Sequence, residues 1–117
     1  MKIRIKGNSI RLRLSSPDVE TFSKEKYLEE KTEFIDTILV YAISRYDGEN
    51  MYAEFSGNRI SIFVTCELFN QFVFTDVVGF EEQMPIGKGK YLSLLIEKDF
   101  KSTDEAYEAP PDSMNFI

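Results

Sequence analysis

The first fourteen residues alternate polar and apolar side chains in two short runs. Residues 2–6 read Lys-Ile-Arg-Ile-Lys, and residues 10–14 read Ile-Arg-Leu-Arg-Leu. Successive side chains of a strand point to opposite faces, so each run predicts a half-buried β-strand. Gly7-Asn8-Ser9 lies between the runs and supplies residues that are typical of a tight turn. The pattern therefore predicts a β-hairpin at the start of the chain.

Two short helices are predicted further along the chain. Ser16 can cap a helix over 17–24, since Pro17 suits its first turn and Asp18 favours its positive end. Thr65 can cap a second helix that carries Phe69 and Phe72. Apolar and β-branched runs predict further strands at 27–35, 37–44, 51–55, 60–65, 77–84 and 91–100. The turns between residues 37 and 65 favour a meander of three antiparallel strands.

These elements predict an α+β fold. We expect a mainly antiparallel sheet of about seven or eight strands, curled or partly barrel-like, with two short helices. Residues 1–101 are expected to form a single domain, and residues 102–117, which include Pro110-Pro111, an extended polar tail. The sequence predicts no internal repeat.

Composition excludes several classes of chemistry. The chain has 117 residues, of which 20 are acidic and 14 basic, for a net charge of −6. This balance argues against nucleic-acid binding, because phosphate neutralisation needs an excess of Lys and Arg. No histidine and one cysteine are present, so His-dependent triads, disulfides and thiolate zinc clusters are excluded. These exclusions favour a protein that is not an enzyme and needs no cofactor.

Location follows from hydropathy and from the cysteine count. The amino-terminal hairpin has no apolar region like that of a signal peptide. Every uninterrupted apolar run is far shorter than the ~20 residues that span a bilayer. A single cysteine suits a reducing compartment. The sequence therefore predicts a cytoplasmic protein without a membrane segment.

Charge is distributed unevenly along the chain. The first fourteen residues carry a charge of +5, and the other 103 carry −11. A two-residue loop at either Asn8-Ser9 or Gly7-Asn8 would place all five cations on one face and the aliphatic side chains on the other. We call this predicted surface the basic hairpin face. It comprises Lys2, Arg4, Lys6, Arg11 and Arg13.

Like charges that face each other across strands repel, so something must offset the basic hairpin face. Water and salt can do this if the face is open, and so can acidic side chains on neighbouring strands. The acidic candidates are Glu30, Glu33, Glu54, Glu97 and Asp99. A bound phosphate, nucleotide or polyphosphate is the third option, since Arg forks bind pairs of oxygens. Glu97 and Asp99 also share one strand face, which makes them weak candidates for a metal site.

Phenylalanine is the other abundant feature, with ten residues. Phe69, Phe72 and Phe74 lie close together and are candidates for an interface with a second copy or another protein. Together these features favour a non-enzymatic binding or accessory domain that acts through protein–protein contacts. The alternative function is an anion-binding module that uses the basic hairpin face.

Two segments carry a family resemblance. One is the opening segment MKIRIKGNSIRLRLS, and the other is Leu95-Ile96-Glu97-Lys98-Asp99-Phe100-Lys101. Both resemble a small family of uncharacterised bacterial single-domain proteins. The resemblance implies a compact cytosolic domain and brings with it no activity, cofactor or catalytic residue.

Overall fold

The computed structural model describes residues 1–99, which form eight strands and two helices. Phe100 and the predicted tail at 102–117 lie outside the described residues. The elements follow in the order β1 (Lys2–Lys6), β2 (Ser9–Leu14), α1 (Ser16–Glu25), β3 (Tyr27–Glu33), β4 (Ile38–Tyr46), β5 (Tyr52–Ser56), β6 (Arg59–Thr65), α2 (Cys66–Phe74), β7 (Gly79–Gly87) and β8 (Lys90–Lys98). The α+β class and the two short helices are thereby confirmed.

Eight strands form within residues 1–99, as predicted, but they make two mixed sheets that are not curled, so the prediction of one curled or partly barrel-like sheet is wrong. The first sheet, called sheet A, has the order β1-β2-β8-β7, and the second, called sheet B, has the order β3-β4-β6-β5. In each sheet the two outer pairs are antiparallel, and the two central strands run parallel to each other. The predicted meander at 37–65 is also wrong, because β6 lies between β4 and β5.

Both helices begin at capped positions. Ser15, rather than Ser16, caps α1, and its side chain accepts a hydrogen bond from the backbone N–H of Asp18. The Asp18 carboxylate accepts in return from the backbone N–H of Ser15, which completes a capping box. Thr65 caps α2 as the sequence predicts, with its hydroxyl accepting from the backbone N–H of Leu68.

The core joins the inner faces of both sheets to the two helices. Phe22 of α1 packs edge to face on Phe69 of α2, with ring centroids 4.9 Å apart. Phe72 packs in the same way on Phe80 of β7. Around these rings lie the buried aliphatic residues Leu12, Leu14, Ile43, Ile62, Val64, Leu94 and Ile96. Burial of this surface is the main force that holds the two sheets together.

The chain contains an internal repeat that the sequence reading missed. Residues 2–46 and 52–98 each follow the order strand, strand, helix, strand, strand. Several positions related by an offset of 50 residues also carry matching residues. They are Met1 and Met51, Gly7 and Gly57, Asn8 and Asn58, Ile10 and Ile60, the helix caps Ser15 and Thr65, and the buried rings Phe22 and Phe72.

The two halves exchange hairpins. Sheet A combines the first hairpin of the first half with the second hairpin of the second half, and sheet B combines the remaining two. If each strand is replaced by its equivalent in the other half, sheet A becomes sheet B and sheet B becomes sheet A. The two halves are therefore related by an internal twofold relation. Glu30 and Glu82 follow it, since Glu30 accepts a hydrogen bond from the Met1 amine and Glu82 from the Met51 backbone N–H, both at 3.0 Å.

Candidate functional site

The basic hairpin face forms with the Gly7-Asn8 loop, which decides between the two registers that the sequence allows. Arg4 lies opposite Arg11, and Lys2 lies opposite Arg13. Gly7 has a φ of 55°, a left-handed conformation that glycine adopts without strain. The directly opposed cations predicted from the sequence are therefore present.

Acidic side chains at the end of β8 and directly after it neutralise part of this face. The parallel pairing of β2 with β8 places Glu97 beside Arg13. The Arg13 Nε lies 2.9 Å from Glu97 Oε2, and one of its terminal nitrogens lies 3.7 Å from Asp99 Oδ1. Two more cations join the cluster, because Arg11 Nε lies 3.9 Å from Glu97 Oε2, and Lys2 Nζ lies 3.4 Å from Asp99 Oδ2. Three of the five cations thus have acidic partners.

The other two cations of the basic hairpin face are exposed and form no ion pair within residues 1–99. Arg4 and Lys6 lie on the edge strand β1, and both are exposed. Within residues 1–99 neither forms an ion pair. An anion that approached this face would therefore meet Arg4 and Lys6 first.

Glu97 and Asp99, the weak metal candidates, both contact cations. Each carboxylate lies within 4.0 Å of Arg13. Across residues 1–99 no group of three or more Asp, Glu or Cys side chains is arranged to hold a metal ion. The arrangement favours an ion-pair cluster, since a metal would have to displace the guanidinium groups.

The remaining acidic candidates lie away from the basic hairpin face. Glu33 and Glu54 belong to sheet B. The Met1 amine lies 3.0 Å from Glu30 Oε2 and 2.8 Å from Asp18 Oδ2. Burial alone would lower the pKa of this amine, but its hydrogen bonds to Asp18 and Glu30 outweigh burial and raise it. Glu30 thus helps to hold the start of the chain.

A second charged cluster lies on the outer face of sheet B. The two terminal nitrogens of Arg59 donate to the Tyr27 hydroxyl at 2.8 Å and to Glu29 Oε1 at 3.0 Å. Hydrogen bonds from Tyr27 and Arg59 lower the pKa of Glu29, and burial together with Glu29 raises the pKa of Tyr27. The phenol therefore stays protonated, which makes it a poor base or nucleophile. The residue pattern did not indicate this cluster, because Arg59 lies 32 residues from Tyr27 and 30 residues from Glu29 in the sequence.

The phenylalanine cluster is mostly internal. Phe69 and Phe72 are 1% and 0% exposed, so neither ring can contact a partner while the fold is intact. They are removed from the interface candidates because the face of α2 that carries them packs against α1 and the sheets. Phe74 is 68% exposed, which leaves it as the one interface candidate of these three on the surface.

Four hairpin turns lie at the end of the protein opposite the helices. In each sheet the parallel central strands begin near these turns and run toward the helices. Asn8 Nδ2 donates to the Tyr91 carbonyl at 2.7 Å, which links the two turns of sheet A. Asn58 Nδ2 donates to Thr37 Oγ1 at 2.6 Å, which links those of sheet B. We call this region the turn end.

The turn end concentrates exposed apolar side chains. Ile35, in the turn after β3, is 104% exposed, and Phe55 on β5 is 72% exposed. Of the eleven large hydrophobic residues exposed within residues 1–99, seven lie here: Ile5, Phe34, Ile35, Ile38, Phe55, Ile86 and Tyr91. Exposed apolar side chains that concentrate at one end of a soluble protein mark a candidate interaction site.

An apolar cavity of about 280 Å³ opens between the two sheets at the turn end. Ile5 and Ile10 line it from sheet A, and their repeat equivalents Phe55 and Ile60 line it from sheet B. The cavity therefore follows the internal twofold relation and joins the two sheets into one surface. The sequence signal that could have pointed to this region was Phe34-Ile35, at the end of the strand predicted over 27–35.

Among residues 1–99, neither helix is long and apolar enough to cross a membrane. Comparison with curated proteins and with solved structures gives no match. A protein-family model does match, and it covers residues 1–116. This confirms the resemblance to an uncharacterised family, and by this match the chain belongs to DUF7009, a family of unknown function.

Proposed function

We propose that this protein is a non-enzymatic binding or accessory domain that acts through protein–protein contacts at the turn end. The observation that carries the proposal is the concentration of exposed apolar side chains around the cavity lined by Ile5 and Phe55. Exposing them to water is unfavourable unless a partner covers them. The proposal places this domain at residues 1–101, with 102–117 as a tail, in the bacterial cytoplasm.

The chemistry of the polar clusters supports binding rather than catalysis. The carboxylates of Glu97 and Asp99 are paired with cations of the basic hairpin face. The Tyr27 phenol has a raised pKa and donates to Glu29. Within residues 1–99, neither cluster combines a nucleophile with a free base, the arrangement that nucleophilic acyl transfer uses.

Site-specific photo-crosslinking in cells that express the chain tests this proposal. A photoreactive phenylalanine analogue replaces Ile35 or Phe55, both exposed at the turn end. A control carries the analogue at Glu20, which lies exposed on α1 at the other end of the protein. We expect protein adducts from the turn-end positions and none from Glu20. Equal labelling at all three positions, or no adduct at Ile35 and Phe55, would refute the proposal.

A second candidate function is anion binding at the basic hairpin face. The observation that favours it is the pair of exposed cations, Arg4 and Lys6, that have no acidic partner among residues 1–99. Pyrophosphate or polyphosphate should raise the melting temperature, and the double change Arg4→Ala and Lys6→Ala should remove this shift. Lys24→Ala, at an exposed lysine of α1, is the control and should keep the shift. An unchanged melting temperature with every anion would exclude this function.

A further inference from the structure

We propose that the partner at the turn end is a second copy of this chain, bound turn end to turn end about a twofold axis. In this dimer sheet A of each copy lies against sheet B of the other. The inference rests on the proposed function and adds the identity and orientation of the partner.

The charges of the turn end set this orientation. The sheet A side carries the exposed cations Lys6, Lys88 and Lys90. The sheet B side carries the exposed anions Glu33, Asp36 and Glu54. A twofold dimer repeats each contact twice, so placing A against B brings opposite charges together at both contacts. Placing like sheets together would instead oppose like charges.

These six groups are available for a partner. Within residues 1–99 none of them takes part in an ion pair or side-chain hydrogen bond of its own chain. Lys88 and Asp36 even occupy corresponding hairpin turns of the two halves, one after β7 and the other after β3. The internal repeat thus places the two turns at equivalent positions of the fold, while their charges are opposite.

The apolar surface is large enough for a stable pair. The exposed fractions of the seven apolar side chains add up to about four fully exposed residues. Full burial of these side chains would remove at most roughly 800 Å² per copy from water, which is close to what a standard protein interface buries on each partner. Apolar side chains at the centre with charges toward the two sides also match the usual anatomy of an interface.

Sedimentation of the purified full-length chain tests the inference. The wild type should change from monomer to dimer between about 1 µM and about 1 mM, because association depends on concentration. Two charge-reversal variants are compared with it. The A variant carries Lys6→Glu and Lys90→Glu, and the B variant carries Glu33→Lys and Asp36→Lys. Each should dimerise at least about tenfold more weakly, since like charges then meet at both contacts.

Mixing the two variants is the decisive measurement. In a heterodimer the reversed sheet A of one copy meets the reversed sheet B of the other, and the remaining contact pairs the unchanged sides. The first contact pairs the introduced anions of the A variant with the introduced cations of the B variant. The second contact pairs the natural anions on sheet B of the A variant with the natural cations on sheet A of the B variant. Both contacts are therefore attractive, and the mixture should recover the dimer. A control variant with Glu20→Lys and Glu25→Lys on α1 should dimerise like the wild type.

The outcomes separate this inference from the proposed function. A wild type that stays monomeric, or a mixture that does not recover the dimer, overturns the inference. If turn-end crosslinks form in cells but only with a chain of different mass, the proposed function stands and the second copy is refuted. If no crosslink forms at the turn end and the purified chain is monomeric, both fail. Circular dichroism and melting temperature confirm that each variant is folded.

Discussion

Asn8 and Asn58 hold equivalent turns at positions 50 residues apart. The Asn8 carbonyl accepts a hydrogen bond from the Ser93 backbone N–H at 3.0 Å, and the Asn58 carbonyl accepts one from Val40 at 2.9 Å. Each bond links a first hairpin to the neighbouring strand of the other half. The repeated Gly-Asn pair therefore fixes where the exchanged hairpins join.

The two turn glycines should contribute similarly to stability. Gly7 and Gly57 have φ values of 55° and 61°, and an added Cβ would meet no atom within 4 Å in either case. Gly7→Ala and Gly57→Ala should therefore each cost about 1 kcal/mol of unfolding free energy, from backbone strain alone. Urea unfolding measures this cost.

Gly79→Ala provides the contrast. There an added Cβ would lie 2.5 Å from the Ile96 carbonyl oxygen and 2.9 Å from the Glu97 Cα. Backbone atoms cannot yield easily, so this change should destabilise more than either turn variant, by about 2 kcal/mol or more. Equal costs at Gly57 and Gly79 would contradict the pairing of β7 with β8.

Arg13 and Arg4 should respond in different ways to loss of charge. Arg13 contacts Glu97 and Asp99, so Arg13→Ala leaves two neighbouring carboxylates without that cation and should cost about 1 kcal/mol. Arg4 lies opposite Arg11, so Arg4→Ala removes a repulsion and should be neutral or slightly stabilising. Chemical denaturation in low salt compares them, and a larger loss from Arg4→Ala would refute the ion-pair cluster.

The phenylalanines of α2 provide a matched pair. Phe72 is buried against Phe80, so Phe72→Ala should cost about 3–5 kcal/mol or prevent folding. Phe74 is exposed, so Phe74→Ala should cost about 1 kcal/mol or less. Comparable losses for the two variants, measured by thermal unfolding, would contradict the orientation of α2.

The contact between the Met1 amine and the Asp18 carboxylate should make stability fall at both extremes of pH. The pKa of the Met1 amine is raised above its ordinary value of 8.0, so its contribution is present at lower pH and is lost as pH rises through the folded pKa. Burial would raise the pKa of Asp18, but hydrogen bonds from the Met1 amine and the Ser15 backbone lower it below 3.8. The contribution of Asp18 is therefore lost as pH falls through that lower value.

Melting temperature as a function of pH checks this pair. Asp18→Asn should reduce the fall of melting temperature at acid pH, since the titrating carboxylate is gone. It should also reduce the fall at alkaline pH, since the Met1 amine loses a charged partner. Glu25→Gln, at an exposed position of α1, should leave both limbs unchanged. An unaltered alkaline limb in Asp18→Asn would show that the amine does not depend on this contact.

Local patterns were sufficient to predict most elements. The amino-terminal hairpin, both helices and the Thr65 cap appear in the structure close to their predicted positions. These features depend on alternation, turn residues and capping, which act over a few neighbouring positions. The position of all five cations on one face follows from the same alternation.

Such local patterns could not predict which strands pair with each other. β2 pairs in parallel with β8, more than 80 residues away in the sequence, and β6 lies between β4 and β5. A strand sequence indicates which face is buried but does not identify the neighbouring strand. The internal repeat was missed because its two copies share a pattern of apolar and turn positions with few identical residues.

The sequence by itself determined where the strands and helices form, that the amino-terminal cations share a face and that histidine chemistry is absent. Only the tertiary structure decided that Glu97 and Asp99 neutralise part of that face, that Phe69 and Phe72 are internal and that apolar side chains gather at the turn end. The physical reason is the separation along the sequence over which each kind of interaction acts. Periodicity and capping act between residues close in sequence, whereas ion pairing and burial depend on which distant strands the exchanged hairpins bring together.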